Sequence, residues 1–166
     1  MSEVAPIIVV TNRPRKLRLA AAEIHRVAGA VLAEAGLEAE VAIHFISARR
    51  SAEMNRQFLQ HEGPTDILTF DQGSTAQRLR GELFVCVPEA IRQAREFGAT
   101  AEAELLRYVV HGLLHLRGFD DVEAARRRVM KREENRLVRK LVRPGPKRKP
   151  VARPGIRKRE TTDRAR

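Results

Sequence analysis

His111-Gly-Leu-Leu-His115-Leu-Arg-Gly118-Phe-Asp120-Asp121 closes an apolar run, Leu105-Leu-Arg-Tyr-Val-Val110, that reads as a buried helix. Four residues are slightly more than one helical turn. His111 and His115 therefore leave the same side of the helix, about 40° apart around its axis. Two imidazoles so placed can share one metal ion. Gly118 offers a left-handed stop, after which the chain can bring Asp120 or Asp121 back toward the histidines. Two nitrogens and one carboxylate around an open fourth position are a usual way of holding catalytic zinc.

Two histidines at this spacing can also be plain polar residues, so their surroundings matter. On a helical wheel they share a stripe with Glu104, Arg107 and Tyr108, while Leu105, Leu106, Val109, Leu113 and Leu116 lie opposite as the core face. Glu104 or a backbone carbonyl is placed to orient an imidazole from behind, though Glu104 can equally pair with Arg107. Zinc peptidases carry a general-base Glu directly after the first His. Gly112 stands there instead, which argues against peptidase chemistry. A helical Gly costs up to ~1 kcal/mol relative to Ala, so a close helix contact or an incoming substrate is expected at Gly112.

The 166 residues are enough for one domain with a real core. Cys86 is the single cysteine, which excludes an internal disulfide and, in this reading, a disulfide-linked partner. No apolar stretch approaches a membrane span. Ile7-Ile-Val-Val10 is too short for a signal-peptide core and lacks a basic lead. The expectation is a cytoplasmic protein without membrane contact. The net charge of +11 is concentrated at one end. Residues 1–121 carry 14 Lys and Arg against 16 Asp and Glu; residues 122–142 carry 8 against 3, and residues 143–166 carry 10 against 2. A polyanion such as RNA suits that end, although a basic tail can also simply solubilise. Aromatics make up only 4% of the chain, which speaks against broad base-stacking platforms.

Along the chain, Ile7–Val10 reads as a first strand and residues 16–35 as a helix closed by Gly36. Val41–Ile46 alternates as a second strand, with His44 on the face opposite Val41, Ile43 and Phe45. Ser47 or Ser51 can cap a short helix to about Leu59, with Met54 and Phe58 inward. Ile67–Phe70 and Gly81–Val87 read as third and fourth strands, paired as a hairpin across a polar loop. Pro88 suits the first turn of a helix to Phe97. Thr100 can cap the helix of the histidines, with Glu102 and Glu104 near its positive end. Residues 122–142 form a further helix, apolar at Val122, Ala125, Val129, Met130, Leu137 and Leu141 and basic elsewhere. Residues 143–166 lack apolar periodicity and read as a disordered basic tail. The order β-α-β-α-β-β-α-α-α predicts a single α/β (α+β) domain over 1–142, with a small mixed sheet of about four strands.

Three blocks resemble the YbeY family of bacterial endoribonucleases, the metal-dependent rRNA maturation factors. His111-Gly-x-Leu-His115-Leu-x-Gly118-Phe-Asp120-Asp121 is similar to the family's H-G-x-L-H-L-x-G-[YF]-D-H. Asn55-x-x-Phe58 followed by Pro64-Thr65-Asp66-Ile-Leu-Thr-Phe70 is similar to L-N-x-x-[YF]-R-x-x-[DE]-x-P-T-D-V-L-S-F. Gly81-Glu82-Leu-Phe looks like its Gly-Asp-Ile strand. The resemblance covers roughly residues 5–142. It implies a single α/β domain packed around the metal helix, cleavage of single-stranded RNA, and a part in rRNA maturation and ribosome quality control. It implies one Zn²⁺ per chain, with ribosomal RNA and ribosomal subunits as partners. His111 and His115 fall on the first two ligand positions. The third family ligand is a His, and Asp121 stands there. Asp also ligates zinc, but it lowers the site charge by one unit and tilts preference toward oxygen-tolerant ions such as Mn²⁺. The expected catalytic and metal-binding set is His111, His115 and Asp121. An Arg that the family is thought to use in cleavage is replaced by Leu59, with Arg56 and His61 as substitutes; Asp66, Glu82 and Asp120 are candidate helpers with ordinary structural roles. The alternative is a non-catalytic RNA-binding assembly factor with a structural metal site.

Overall fold

The computed structural model describes residues 5–146 and 149. The chain runs β1 (Ile7–Thr11), α1 (Ala21–Ala33), β2 (Glu38–Ile46), α2 (Ala48–Met54), a π-helical turn (Asn55–Leu59), β3 (Ile67–Asp71), β4 (Arg78–Cys86), α3 (Val87–Phe97), α4 (Ala101–Leu116) and α5 (Ala124–Leu141). The single α/β domain and four-stranded mixed sheet expected from the sequence are present. The strand order is β1-β2-β4-β3. β1, β2 and β4 are parallel, and β3 pairs antiparallel with β4 as the predicted hairpin.

Period-two alternation explains the sheet. Val41, Ile43, Leu83 and Val85 are buried on one face, and register aligns Val41 with Gly81 and Ile43 with Leu83. α1 and α4 cover that face. The opposite face carries His44, Phe70 and Phe84, with His44 stacked on Phe84 and Phe70 edge-on to it. His44 thus lies on the solvent-side face, hydrogen-bonded to Thr11 Oγ1 at 2.7 Å.

α4 passes through the centre of the molecule. Its expected core face, Leu105, Leu106, Val109, Leu113 and Leu116, is buried, and so are Tyr108, Val110 and Leu114. Two glycines let it sit this close. A Cβ on Gly112 would lie 2.6 Å from Ile67 Cδ1 and 2.8 Å from Leu83 Cδ2. A Cβ on Gly81 would meet Leu116 at 2.5 Å and the Phe70 carbonyl oxygen at 2.9 Å. Of the two explanations open for Gly112, the close helix contact is the one seen.

Several boundaries differ from expectation. The first helix starts at Ala21 rather than near Lys16, because Pro14 and a turn closed by Leu17 N–H on its carbonyl hold the preceding segment. Ser47 caps α2 as expected, accepting from the Arg50 N–H, and Met54 is buried. Phe58 is not inward: it is 52% exposed and rests edge-on against Phe70. The π turn inserts one residue into the helical phase, so Asn55 takes the inward position and donates to the Gly63 carbonyl. α5 begins at Ala124, and its buried stripe is Met130, Glu134, Leu137 and Leu141; Val129 is exposed because it lies off that stripe, and Val122 is exposed in the loop before the helix. The tail expected over 143–166 lies outside the described residues, apart from 143–146 and 149.

Gly81→Ala is expected to destabilise by roughly 1–3 kcal/mol, because backbone as well as side chain must move. Gly112→Ala is expected to cost less: the side-chain tips it meets can rotate, and Ala regains up to ~1 kcal/mol of helix propensity. Urea melts of both variants rank them, and the reverse order would contradict this packing account.

Candidate metal centre

Thr100 caps α4 through its hydroxyl, which accepts from Ala103 N–H. The other end of α4 is closed by Gly118 at φ 93°. Gly118 N–H bonds to the His115 carbonyl at 2.9 Å and Phe119 N–H to the Leu114 carbonyl at 3.0 Å. This pair of bonds is the Schellman arrangement. It reverses the chain and delivers two groups to the histidines. The Phe119 carbonyl accepts from His115 Nδ1 at 3.1 Å. Asp121 Oδ2 arrives 3.7 Å from His111 Nε2 and 3.8 Å from His115 Nε2. Arg127 steadies the loop, donating to the carbonyls of Asp121 and Val122.

The two Nε2 atoms are 3.1 Å apart. Behind them, His111 Nδ1 donates to Glu134 Oε2 at 2.8 Å. Carboxylate and carbonyl partners only accept, so the neutral rings carry their protons on Nδ1. Both Nε2 lone pairs and the Asp121 carboxylate then converge with no donor between them. A cation is the natural complement of that set. The three atoms lie on a circle of radius about 2.1 Å, the length of a zinc–nitrogen bond. All three ligand atoms lie within 4.8 Å of one another. The residues present therefore fit one divalent ion, and the carboxylate makes the set equally acceptable to oxygen-tolerant metals.

Glu134 was not singled out by the sequence reading. It is 3% exposed and also accepts from Arg107 Nη1 at 2.7 Å and Lys131 Nζ at 2.8 Å. Burial by itself would raise its pKa, but hydrogen bonds from His111, Lys131 and Arg107 outweigh burial and hold the carboxyl at about 2. Burial by itself would lower the His111 pKa; the Glu134 hydrogen bond and charge outweigh it, and the net shift is upward. The signal for Glu134 was present: a carboxylate on the apolar stripe of a helix, in phase with Met130, Leu137 and Leu141. Glu104, the expected orienting group, makes no hydrogen bond to either imidazole; the carbonyl alternative is realised by Phe119.

A cleft of about 730 Å³ opens beside the ligands. Its lining includes Asp66, Glu104, Arg107, Tyr108, His111, Asp121, Arg127 and Lys131. Asp66 reaches the cleft while its Oδ1 accepts from Ile67 N–H and Thr65 Oγ1. Asp120 accepts from Val122 N–H and pairs with Arg126. Glu82 lies on the other sheet face beside His44. Leu59, Arg56 and His61 are exposed and do not line the cleft. The cations that do are Arg107, Arg127 and Lys131.

Glu134→Gln keeps the shape but removes the charge behind His111, so divalent-metal affinity should fall by about 10–100-fold. Protons compete with metal for Nε2, and the raised His111 pKa brings that competition to higher pH. In wild type, metal affinity should therefore weaken as pH falls through that raised value; in the variant the onset should move to lower pH. Competition with a chromophoric chelator across pH measures both effects, and an unchanged affinity and onset would contradict the role of Glu134.

A family model described as Endoribonuclease YbeY matches residues 9–142. The endoribonuclease YbeY of Bacteroides thetaiotaomicron is 41% identical over 99 residues, covering 60% of this chain and 72% of that protein. That of Methylococcus capsulatus is 37% identical over 115 residues, covering 66% and 77%. The solution structure of a Thermotoga maritima protein superposes with a TM-score of 0.60 at 28% identity, over 82% of this chain and 88% of that one. The family match takes in β1 from Val9 onward, every later strand and helix, and the whole loop that delivers Asp121, and on that extent the chain belongs to the endoribonuclease YbeY family.

Proposed function

We propose that this protein is a metal-dependent endoribonuclease that cuts single-stranded RNA, acting on ribosomal RNA during its maturation in the cytoplasm. The observation that carries the reading is the convergence of His111 Nε2, His115 Nε2 and Asp121 Oδ2, each imidazole backed by an acceptor. The fit to zinc and the family membership support it. A divalent ion held there supplies Lewis acidity toward a phosphodiester. Glu134 and the Phe119 carbonyl fix the ring orientations. Arg127 fixes the loop that carries Asp121. Arg107, Arg127 and Lys131 line the cleft, and with a divalent ion bound they would leave it net positive toward a phosphate backbone.

The domain over residues 1–142 would carry the chemistry, with α5 and residues 143–166 as the electrostatic arm. Arg128, Arg132 and Arg139 on α5 are exposed and have no carboxylate partner among the described residues. They extend the basic surface away from the cleft. No helix among the described residues is long and apolar enough to cross a membrane.

Purified protein is expected to cleave a single-stranded ribosomal RNA fragment. Chelation and His115→Ala should each abolish cleavage while leaving RNA binding largely intact. Binding should weaken steeply with salt, and removal of residues 143–166 should lower that log–log slope by several units. Tight binding without any cleavage would move the reading to the non-catalytic assembly factor; cleavage that survives both controls would refute metal dependence.

A further inference from the structure

The polar stripe of α4 does not end at the metal ligands. Tyr108 lies about 4.5 Å along the helix axis from His111, and Glu104 about 10 Å, both on the same side. Both line the cleft. Tyr108 is 5% exposed, and its hydroxyl is buried with no hydrogen-bond partner. Glu104 is 8% exposed and makes no side-chain hydrogen bond among the described residues. Gln93 of α3 reaches the same space and also makes none. Buried polar groups are nearly always satisfied, and the Tyr108 hydroxyl is an exception. With the unbonded Glu104 carboxyl and the half-buried Gln93 amide lining the same cleft, it describes a site whose partner is a ligand.

The wall of this lobe is apolar. Phe97, at the C-terminal end of α3, lines the cleft with its ring 65% exposed, and Ala99 and Met130 continue the surface. Phe97 has no ring partner among the described residues. A flat ligand could stack on Phe97 and turn its edge to donors and acceptors below. Tyr108 keeps its proton, because burial pushes the phenol well above its ordinary range. Burial likewise raises the pKa of the Glu104 carboxyl, against the opposing charge of Arg107, while the Gln93 amide offers both a donor and an acceptor. A planar group with a mixed hydrogen-bonding edge, set along α4 in the same cleft as the candidate metal centre, has the anatomy of a nucleotide.

We infer that Gln93, Phe97, Glu104 and Tyr108 form a nucleobase subsite, which seats the base next to the phosphodiester held at His111, His115 and Asp121. The inference rests on the ribonuclease reading for its biological sense. It deepens that reading by making cleavage selective for the base in this lobe. Phe97 supplies stacking, and Tyr108, Gln93 and Glu104 read the edge.

The test uses the full chain loaded with Zn²⁺, and the four ribonucleoside 5′-monophosphates beside ribose 5-phosphate. At least one nucleotide should bind about 10-fold or more tightly than ribose 5-phosphate. Tyr108→Phe and Phe97→Ala should each erase most of that gap, with ribose 5-phosphate affinity and thermal midpoint unchanged. Tyr108→Phe removes one unpartnered oxygen, so failure to fold cannot imitate the result. In parallel, cleavage of a randomised oligoribonucleotide should show a base preference beside the cut that Phe97→Ala flattens. Equal binding of all five ligands, or binding of none, overturns the subsite. A nucleotide gap without RNA cleavage keeps the subsite and refutes the ribonuclease reading; cleavage without a gap does the reverse.

Discussion

The Glu134 carboxylate is the point on which the site depends. It is almost fully buried and takes hydrogen bonds from three cationic or donor side chains on two helices. A buried carboxylate left alone would cost several kcal/mol, whereas Arg107, His111 and Lys131 keep partial access to water and lose less without it. Glu134 is thus the member that most needs its partners. It fixes α5 against α4, sets the His111 ring, and makes that imidazole a stronger base toward a cation. One residue on the last helix thus sets the geometry of ligands that lie on another.

The second constraint is distance. α4 can carry polar ligands through the middle of a small protein only because its other side is packed tightly on β3 and β4. Gly112 and Gly81 remove the two side chains that would hold it away. The same helix then ends in the Gly118 reversal, so one local motif supplies both the backing carbonyl for His115 and the Asp121 carboxylate beside the two imidazoles. Placing the site at a helix end lets the carboxylate come from a loop, while the imidazoles come from a rigid element.

Much of this was legible in the sequence because it rests on local rules. The i, i+4 histidines, the Gly118 stop and the returning Asp121 need only helix geometry, and the structure brings all three together. The sheet followed from alternation, and the β3–β4 hairpin from the polar loop between two short apolar runs. What escaped depended on phase or on distant pairing. Phe58 was placed inward by a 3.6-residue period that the π turn breaks. Glu134 sits among many charges on a basic helix, and only its phase with Met130 and Leu137 marks it as inward. Arg127 left no signal at all: its target is a backbone carbonyl, and sequence patterns do not show those.

The charge balance of the cleft would couple a bound cation to a bound polyanion. Asp66, Glu104, Asp121 and Glu134 face Arg107, Arg127 and Lys131. With all of them ionised the lining carries one excess negative charge, and Glu104, raised by burial, is the member most easily neutralised. A phosphodiester meets little attraction in such a space. One divalent ion turns the excess positive by one unit, and the cations on α5 then act with it rather than merely offsetting carboxylates. Ion and polyanion should therefore bind with positive coupling, each raising the affinity for the other by the same factor. The same balance gives a physical reason why Asp121 would be acceptable in a metal-binding set. Its extra negative charge would tighten the hold on an ion, while the basic residues of the last helix would restore the attraction for a polyanion that the same charge takes away.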